Sequence, residues 1–408
     1  MLQTNRRSFL KAGSAAAALS FGRPVPALLQ QAAAQSKHDG RVLVVIELAG
    51  GNDGLNTVIP FRHDQYAKSR PTLAVAESDV LKINDELGLH PATTGFAELL
   101  QQNQLSIVQG VGYDNPNRSH FESMDIWHTC QRKDESRVDG WLGRLLESAA
   151  DQHGNDPAAM HLGRQKQPFA LMSREVRVPT IRSLQQFRLD TGSDQSFRDA
   201  VRQLADAGRP ESNDLLGFVQ SSTSAAIAAS ERVETANQQY RAAKTYPETE
   251  LAQQLQTIAQ LIDAGLSTSV YYVQLDGFDT HAQQAGAQQS LLRQLSDAVT
   301  AFIQDIDAHG HGDRVLCFSF SEFGRRVKEN ASEGTDHGTA GPVFLAGQSV
   351  QSGLVGAHPD LNDLQDGDLR HHTDFRCVYA DILQNWMNIS PTEILHGNFK
   401  PVSAVRPG

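Results

Sequence analysis

The stretch Arg41-Val42-Leu43-Val44-Val45-Ile46-Glu47-Leu48, running into Ala49-Gly50-Gly51-Asn52-Asp53-Gly54-Leu55-Asn56, decides the fold class. Its first half is short, β-branched and ends on glycines. That is the pattern of a strand buried on both faces of a parallel sheet. Its second half wedges an acid among glycines, where backbone and carboxylate can approach a ligand closely. Asn-Asp-Gly is also ordinary turn chemistry, so this loop alone divides evenly between the two readings. It is no phosphate cradle, since neither G-x-G-x-x-G nor a terminal Gly-Lys-Ser follows.

Further strands are predicted at Leu105–Val108, Ser269–Leu275, Arg314–Phe320 and Pro342–Ala346. Helical stretches lie between them. One runs from Ala92 to Gln102. Another, from Ser290 to Ala308, puts Leu291, Leu295, Val299, Phe302 and Ile306 on one face. Strands alternating with helices imply an α/β fold with a mostly parallel sheet sandwiched by helices. Residues 195–265 are rich in Ala, Gln and Ser, with a break at Pro247. They read as a helical insertion of two or three helices, starting near Ser196, Asn213 and Glu248. One large domain over residues 35–408 accommodates all of this.

The chain has 408 residues, 39% of them hydrophobic and 20% charged, an ordinary globular balance. No apolar run approaches the roughly 18 residues of a spanning helix. With 36 basic and 47 acidic residues the formal charge is −11. That surface disfavours nucleic acid and anionic membranes as partners. The charge is uneven. Residues 1–34 hold Arg6, Arg7, Lys11, Arg23 and no acid; without those four, 32 basic groups face 47 acidic ones, a charge of −15. Arg6-Arg7-Ser8-Phe9-Leu10-Lys11, the weakly apolar stretch after it and Ala32-Ala33-Ala34 resemble a twin-arginine export signal, with cleavage near Ala34. The expected partner is the twin-arginine translocase and the expected location periplasmic or extracellular. Cys130, Cys317 and Cys377 are widely spaced and make no disulfide framework.

Ligands of parallel α/β sheets sit at the carboxyl ends of the strands. Acidic and histidine residues gather at those ends. The second strand leads to Asn117-Arg118-Ser119-His120-Phe121, with Ser119 at a predicted helix start. There it can be an exposed nucleophile or the N-cap of a capping box with Glu122. The third leads to Asp276-Gly277-Phe278-Asp279-Thr280-His281, two carboxylates and an imidazole suited to a divalent metal. The fourth leads to Ser321-Glu322-Phe323-Gly324-Arg325-Arg326, where Glu322 can ligate metal and Arg325 can neutralise substrate charge. Thr335-Asp336-His337-Gly338 precedes the fifth strand. The convergence of these clusters on strand ends, rather than any one motif, points to a site. His358, His371 and His372 read as polar loop residues, and Trp127, Trp141 and Trp386 as core.

This set of motifs resembles an uncharacterised family of twin-arginine-exported bacterial proteins, itself similar to the alkaline phosphatase and sulfatase superfamily. The resemblance covers nearly all of residues 40–400. It implies an alkaline-phosphatase-like fold and a secreted hydrolase of phosphate or sulfate esters, small-molecule or polysaccharide. Two divalent cations (zinc, manganese, calcium or magnesium) would be held by Asp53, Asp276, Asp279, His281, Glu322, Asp336 and His337. Ser119 would be the nucleophile, with Arg118, His120 and Arg325 around the ester oxygens. The partner of His281 is left open between Asp276 and Asp279, as is the choice between Glu322 and Asp336 for the superfamily's Asp-His pair. The alternative is a non-catalytic envelope binding protein that keeps the fold, with metal in a structural role.

Overall fold

The computed structural model of the chain describes residues 40–149, 156–182 and 240–407. The export signal expected over residues 1–34, and the helices expected near Ser196 and Asn213, lie outside the described residues.

Among the described residues nine strands form the main sheet. In chain order they are β1 (Val42–Ala49), β2 (Leu105–Gly112), β3 (Ala159–Leu162), β4 (Thr180–Ile181), β5 (Val270–Asp276), β6 (Val315–Phe320), β7 (Gly341–Ala346), β8 (Gly353–Val355) and β9 (Thr373–Asp374). The spatial order is β8-β2-β7-β6-β1-β5-β3-β4, with β9 also against β2. The strand Val42–Ala49 is central and parallel to both neighbours, Leu43 opposite Val270 and Leu316. Only β7 runs antiparallel, against β2 and β6. The reason is local. No helix carries the chain back between β6 and β7; a long loop stays at the carboxyl end of β6, so the next strand must enter from there. That loop holds Glu322, Arg325, Asp336 and His337.

Successive side chains of β1 point to opposite faces. Val42, Val44, Ile46 and Leu48 pack under α2 (Thr94–Gln101), α5 (Glu250–Asp263) and α6 (Gln284–Ala308), after the short α1 (Asp64–Ser69). Leu43 and Val45 pack under α3 (His120–Thr129), α4 (Trp141–Ser148) and α7 (Phe375–Asp381). All three tryptophans are buried, and Trp127 stacks on Phe320 and Phe375 at centroid distances of 5.1 and 4.5 Å. The stretch after Pro247 is α5, N-capped by Thr249, whose hydroxyl accepts from the Ala252 N–H at 3.3 Å. Its Leu251, Leu255, Ile258 and Ile262 belong to the main core, so this helix is a layer of the sheet domain rather than part of an appendage. Among the described residues no helix is long and apolar enough to cross a membrane.

Candidate functional site

The carboxyl ends of β1, β5 and β6 meet the start of α3. Gly50 and Gly51, directly after β1, have φ of +115° and +81°, where a side chain is strained. Space excludes one as well: a Cβ on Gly50 would stand 2.4 Å from the Asp279 nitrogen. The glycines therefore serve the close approach of the 276–281 loop. Their N–H groups donate to Glu322, Gly50 at 2.9 Å and Gly51 at 3.2 Å. On the other side Ser123 of α3 donates to the Glu322 carbonyl at 2.6 Å, tying the helix to the end of β6.

Three imidazoles then converge on one carboxylate oxygen, Asp279 Oδ1. His281 Nε2 lies 3.0 Å from it, His337 Nε2 3.1 Å and His120 Nε2 3.4 Å. His281 Nε2 and His337 Nε2 are 2.9 Å apart. His120 Nε2 is buried and has no hydrogen bond. Each ring is held by its other nitrogen. His120 Nδ1 meets Glu322 Oε1 at 2.7 Å, His281 Nδ1 meets Asp336 Oδ1 at 3.3 Å and His337 Nδ1 meets the Arg118 carbonyl at 2.8 Å. An ionised carboxylate or a carbonyl only accepts, so with a cation on Nε2 in place of a hydrogen bond to Asp279 these contacts put the proton on Nδ1 in all three rings. Three Nε2 lone pairs are left facing the same corner. The Phe323 ring packs on His120 and His337, at centroid distances of 4.9 and 4.8 Å, and fixes their planes.

Bare lone pairs 2.9 Å apart repel unless a proton or a cation lies between them. Donor atoms of a tetrahedral cation with bonds of about 2.0–2.1 Å stand about 3.3 Å apart. The separations between His281 and His337 and from each ring to Asp279, 2.9–3.4 Å, match that, and an accepting partner on every distal nitrogen is the usual setting of a metal-bound histidine. Among the described residues the donor atoms of His120, Asp279 and His337 all lie within 4.8 Å of one another. Burial works to raise the Asp279 pKa, but the Arg325 guanidinium and the imidazoles beside the carboxyl outweigh it and hold it well below the usual range. The Glu322 hydrogen bond lifts the His120 imidazole above its ordinary value.

The remaining expected residues are placed differently. Asp53 is buried and clasped by Arg70, Nη1 to Oδ2 at 2.6 Å and Nη2 to Oδ1 at 3.0 Å, with Gln284 donating to Oδ2 as well. Its oxygens are committed and it does not reach the cluster. Glu322 and Asp336 stand behind histidines instead of at the corner. Asp279, not Asp276, lies against His281; Asp276 keeps one contact, an amide of Gln165 at 3.4 Å, and burial raises its pKa. Arg325 faces no substrate space: its guanidinium is buried on the carbonyls of Gly50, Gly51, Phe278 and Thr335 and on Asp279. Arg118 turns its side chain to Asp368. Among the described residues the arrangement thus gathers its donor atoms around Asp279.

Ser119 is the N-cap of α3, yet its hydroxyl makes no capping bond, and Glu122 pairs with Arg137 at 2.6 Å. The capping box is therefore unmade and the hydroxyl stays exposed. It sits between Arg118, whose carbonyl holds His337, and His120. A cleft of about 660 Å³ opens beside the cluster, lined by His120, Asp279 and Glu322 and by Phe121, Lys166, Phe169 and Met172. The sequence reading missed Glu47, His128 and Gln274 on its floor. A carboxylate at a core-facing position of an apolar strand was the signal for them.

Comparison with solved structures gives remote similarities. The lipoteichoic acid synthase LtaP from Listeria monocytogenes is 10% identical at a TM-score of 0.38, with 78% of this chain and 68% of that one covered. The C-terminal periplasmic domain of EcEptC from Escherichia coli gives 11% and 0.37, with 88% and 86% covered. The PsFucS1 sulfatase from Pseudoalteromonas sp. gives 10% and 0.35, with 83% and 70% covered. At such values no activity transfers. No curated protein matches by sequence. One family model does match, over residues 40–385, and the chain accordingly belongs to the family described as "Protein of unknown function (DUF1501)".

Proposed function

We propose that the protein is an exported, metal-dependent hydrolase or transferase of phosphate or sulfate esters. The convergence of three imidazole nitrogens on Asp279 carries this reading. His120, His281, His337 and Asp279 would hold a divalent cation, which when bound supplies Lewis-acid polarisation of an ester oxygen. Glu322, Asp336 and the Arg118 carbonyl keep the three rings in the ligating tautomer. Arg325 fixes the Asp279 carboxylate and four carbonyls, so the corner is preorganised. The positive end of the α3 dipole favours an anionic group beside Ser119. The Ser119 hydroxyl, exposed and free of capping duty, is the nucleophile toward phosphorus or sulfur. Export by the twin-arginine route delivers a chain that has already folded, as a protein loaded with metal in the cytoplasm requires.

A screen of phospho- and sulfoesters with zinc, manganese, magnesium and calcium tests this. Turnover by the loaded protein, lost in Ser119→Ala without loss of metal, is the expected result. Bound metal with no turnover on any ester would leave the envelope binding protein as the better reading. Turnover that survives Ser119→Ala would remove the nucleophile assignment alone.

A further inference from the structure

We infer that the floor of the cleft is an ammonium-binding station, so that the alcohol part of the ester carries a protonated amine; this rests on the metal-centre reading above. The starting point is Glu47, 4% exposed and projecting from the central strand toward α3. Its Oε1 accepts from Gln274 Nε2 at 2.9 Å. Its Oε2 accepts from His128 Nε2 at 2.9 Å and from the Tyr272 hydroxyl.

A carboxylate only accepts, so Glu47 dictates how its partners point. Gln274 must turn its NH2 inward and its carbonyl oxygen away. His128 must carry its proton on Nε2, leaving Nδ1 a bare lone pair. Neither Gln274 Oε1 nor His128 Nδ1 has a hydrogen bond among the described residues, and both side chains line the cleft. Asp276 lines it too, with the Gln165 amide as its one hydrogen-bond partner and no Lys or Arg in ion-pair range among the described residues. Lys166, among the described residues the one lysine or arginine on the cleft wall, is exposed and makes no ion pair with any of them.

Glu47 therefore draws the donors inward and leaves a floor of acceptors: an imidazole nitrogen, an amide oxygen and a carboxylate. A ligand hydroxyl brings one donor and two lone pairs of its own. An ammonium brings three donors and no acceptor, and its charge meets Asp276. The rim suits the carbon chain behind such a group, since Phe121 is 87% and Met172 49% exposed.

Calorimetric titration of the metal-loaded protein tests this with inorganic phosphate, butyl phosphate and the terminal hydroxy and amino derivatives of butyl phosphate. The amino ester should bind at least about tenfold tighter than the other two esters. In Asp276→Asn, an exposed substitution, that preference should fall below about threefold. Glu47→Gln, which lets residue 47 donate and frees its partners to turn, should erase it as well. Equal binding of the three esters alongside inorganic phosphate would overturn the station and leave the metal centre standing. A hydroxy ester that outbinds the amino ester, or a preference that survives both variants, would overturn it too. Binding of none of the four, inorganic phosphate included, would overturn the metal centre and the station together.

Discussion

Asp53→Asn separates two roles for the acid in the loop that follows the central strand. In the structure both Asp53 and Arg70 are wholly buried, and the guanidinium clasps both carboxylate oxygens while also donating to the carbonyls of Val327 and Arg326. Arg70 belongs to the stretch after α1, and Val327 follows β6, so this pair joins the β1 loop to two distant segments. Removing one charge of a buried pair leaves the other unpaired in low dielectric and costs about 3–5 kcal/mol. Asparagine keeps one acceptor, which favours the lower end, about 3 kcal/mol. With an unfolding entropy of about 2.1 cal/mol/K per residue over roughly 370 residues, the fall in Tm is about 4 °C. The assay is denaturation of chelator-treated protein, followed by zinc titration of the folded variant. The metal-free variant should be destabilised by that amount and still take up zinc with affinity within a few fold of the parent. A metal-free variant as stable as the parent that has lost zinc binding would refute the reasoning and return Asp53 to the ligand set.

Glu322→Gln should weaken metal affinity by about 10–100-fold, because the His120 tautomer loses its fixed acceptor; competition with a chromophoric chelator measures it. Ser119→Ala should abolish turnover while changing stability by less than about 0.5 kcal/mol, since the hydroxyl makes no hydrogen bond in the fold. Arg325→Met should cost about 3 kcal/mol or more, seen as a drop in urea midpoint, because Asp279 and four carbonyls lose a buried donor at once. His90 and His161 have their pKa pushed down from 6.5 to about 4, first of all by burial. The unfolded chain therefore binds more protons below pH 6.5, and stability should fall between pH 6.5 and 4. For His161, which is wholly buried, the loss is about 3 kcal/mol. An acid titration of His161→Asn that keeps the full slope would contradict this.

The strand pattern was readable because burial on both faces leaves unbroken apolar runs, as in Val42–Leu48 and Val315–Phe320. The strand-end rule then located the right loops. Which side chain of a loop faces the corner was not readable. Asp276 and Asp279 are equivalent by composition, and the turn at Gly277, with φ of +110°, sends the second one to His281. Asp53 looked like a ligand because its partner Arg70 follows a six-residue helix that carries no sequence signature. Glu322 and Asp336 differ from ligands only in standing one residue further back, behind His120 and His281. Arg325 and Arg118 are cations near an expected anion site, yet backbone carbonyls and Asp368 claim them, contacts that only the folded chain brings into range. His120, expected beside the substrate, instead turns its Nε2 to Asp279 because α3 begins where β5 and β6 end.

Elemental analysis of the protein purified from the organism that encodes it tests the central claim most directly. The account predicts about one divalent ion per chain, retained in Asp53→Asn and lost in His281→Ala and His337→Ala. Protein that carries no stoichiometric metal and takes up none on titration would contradict it.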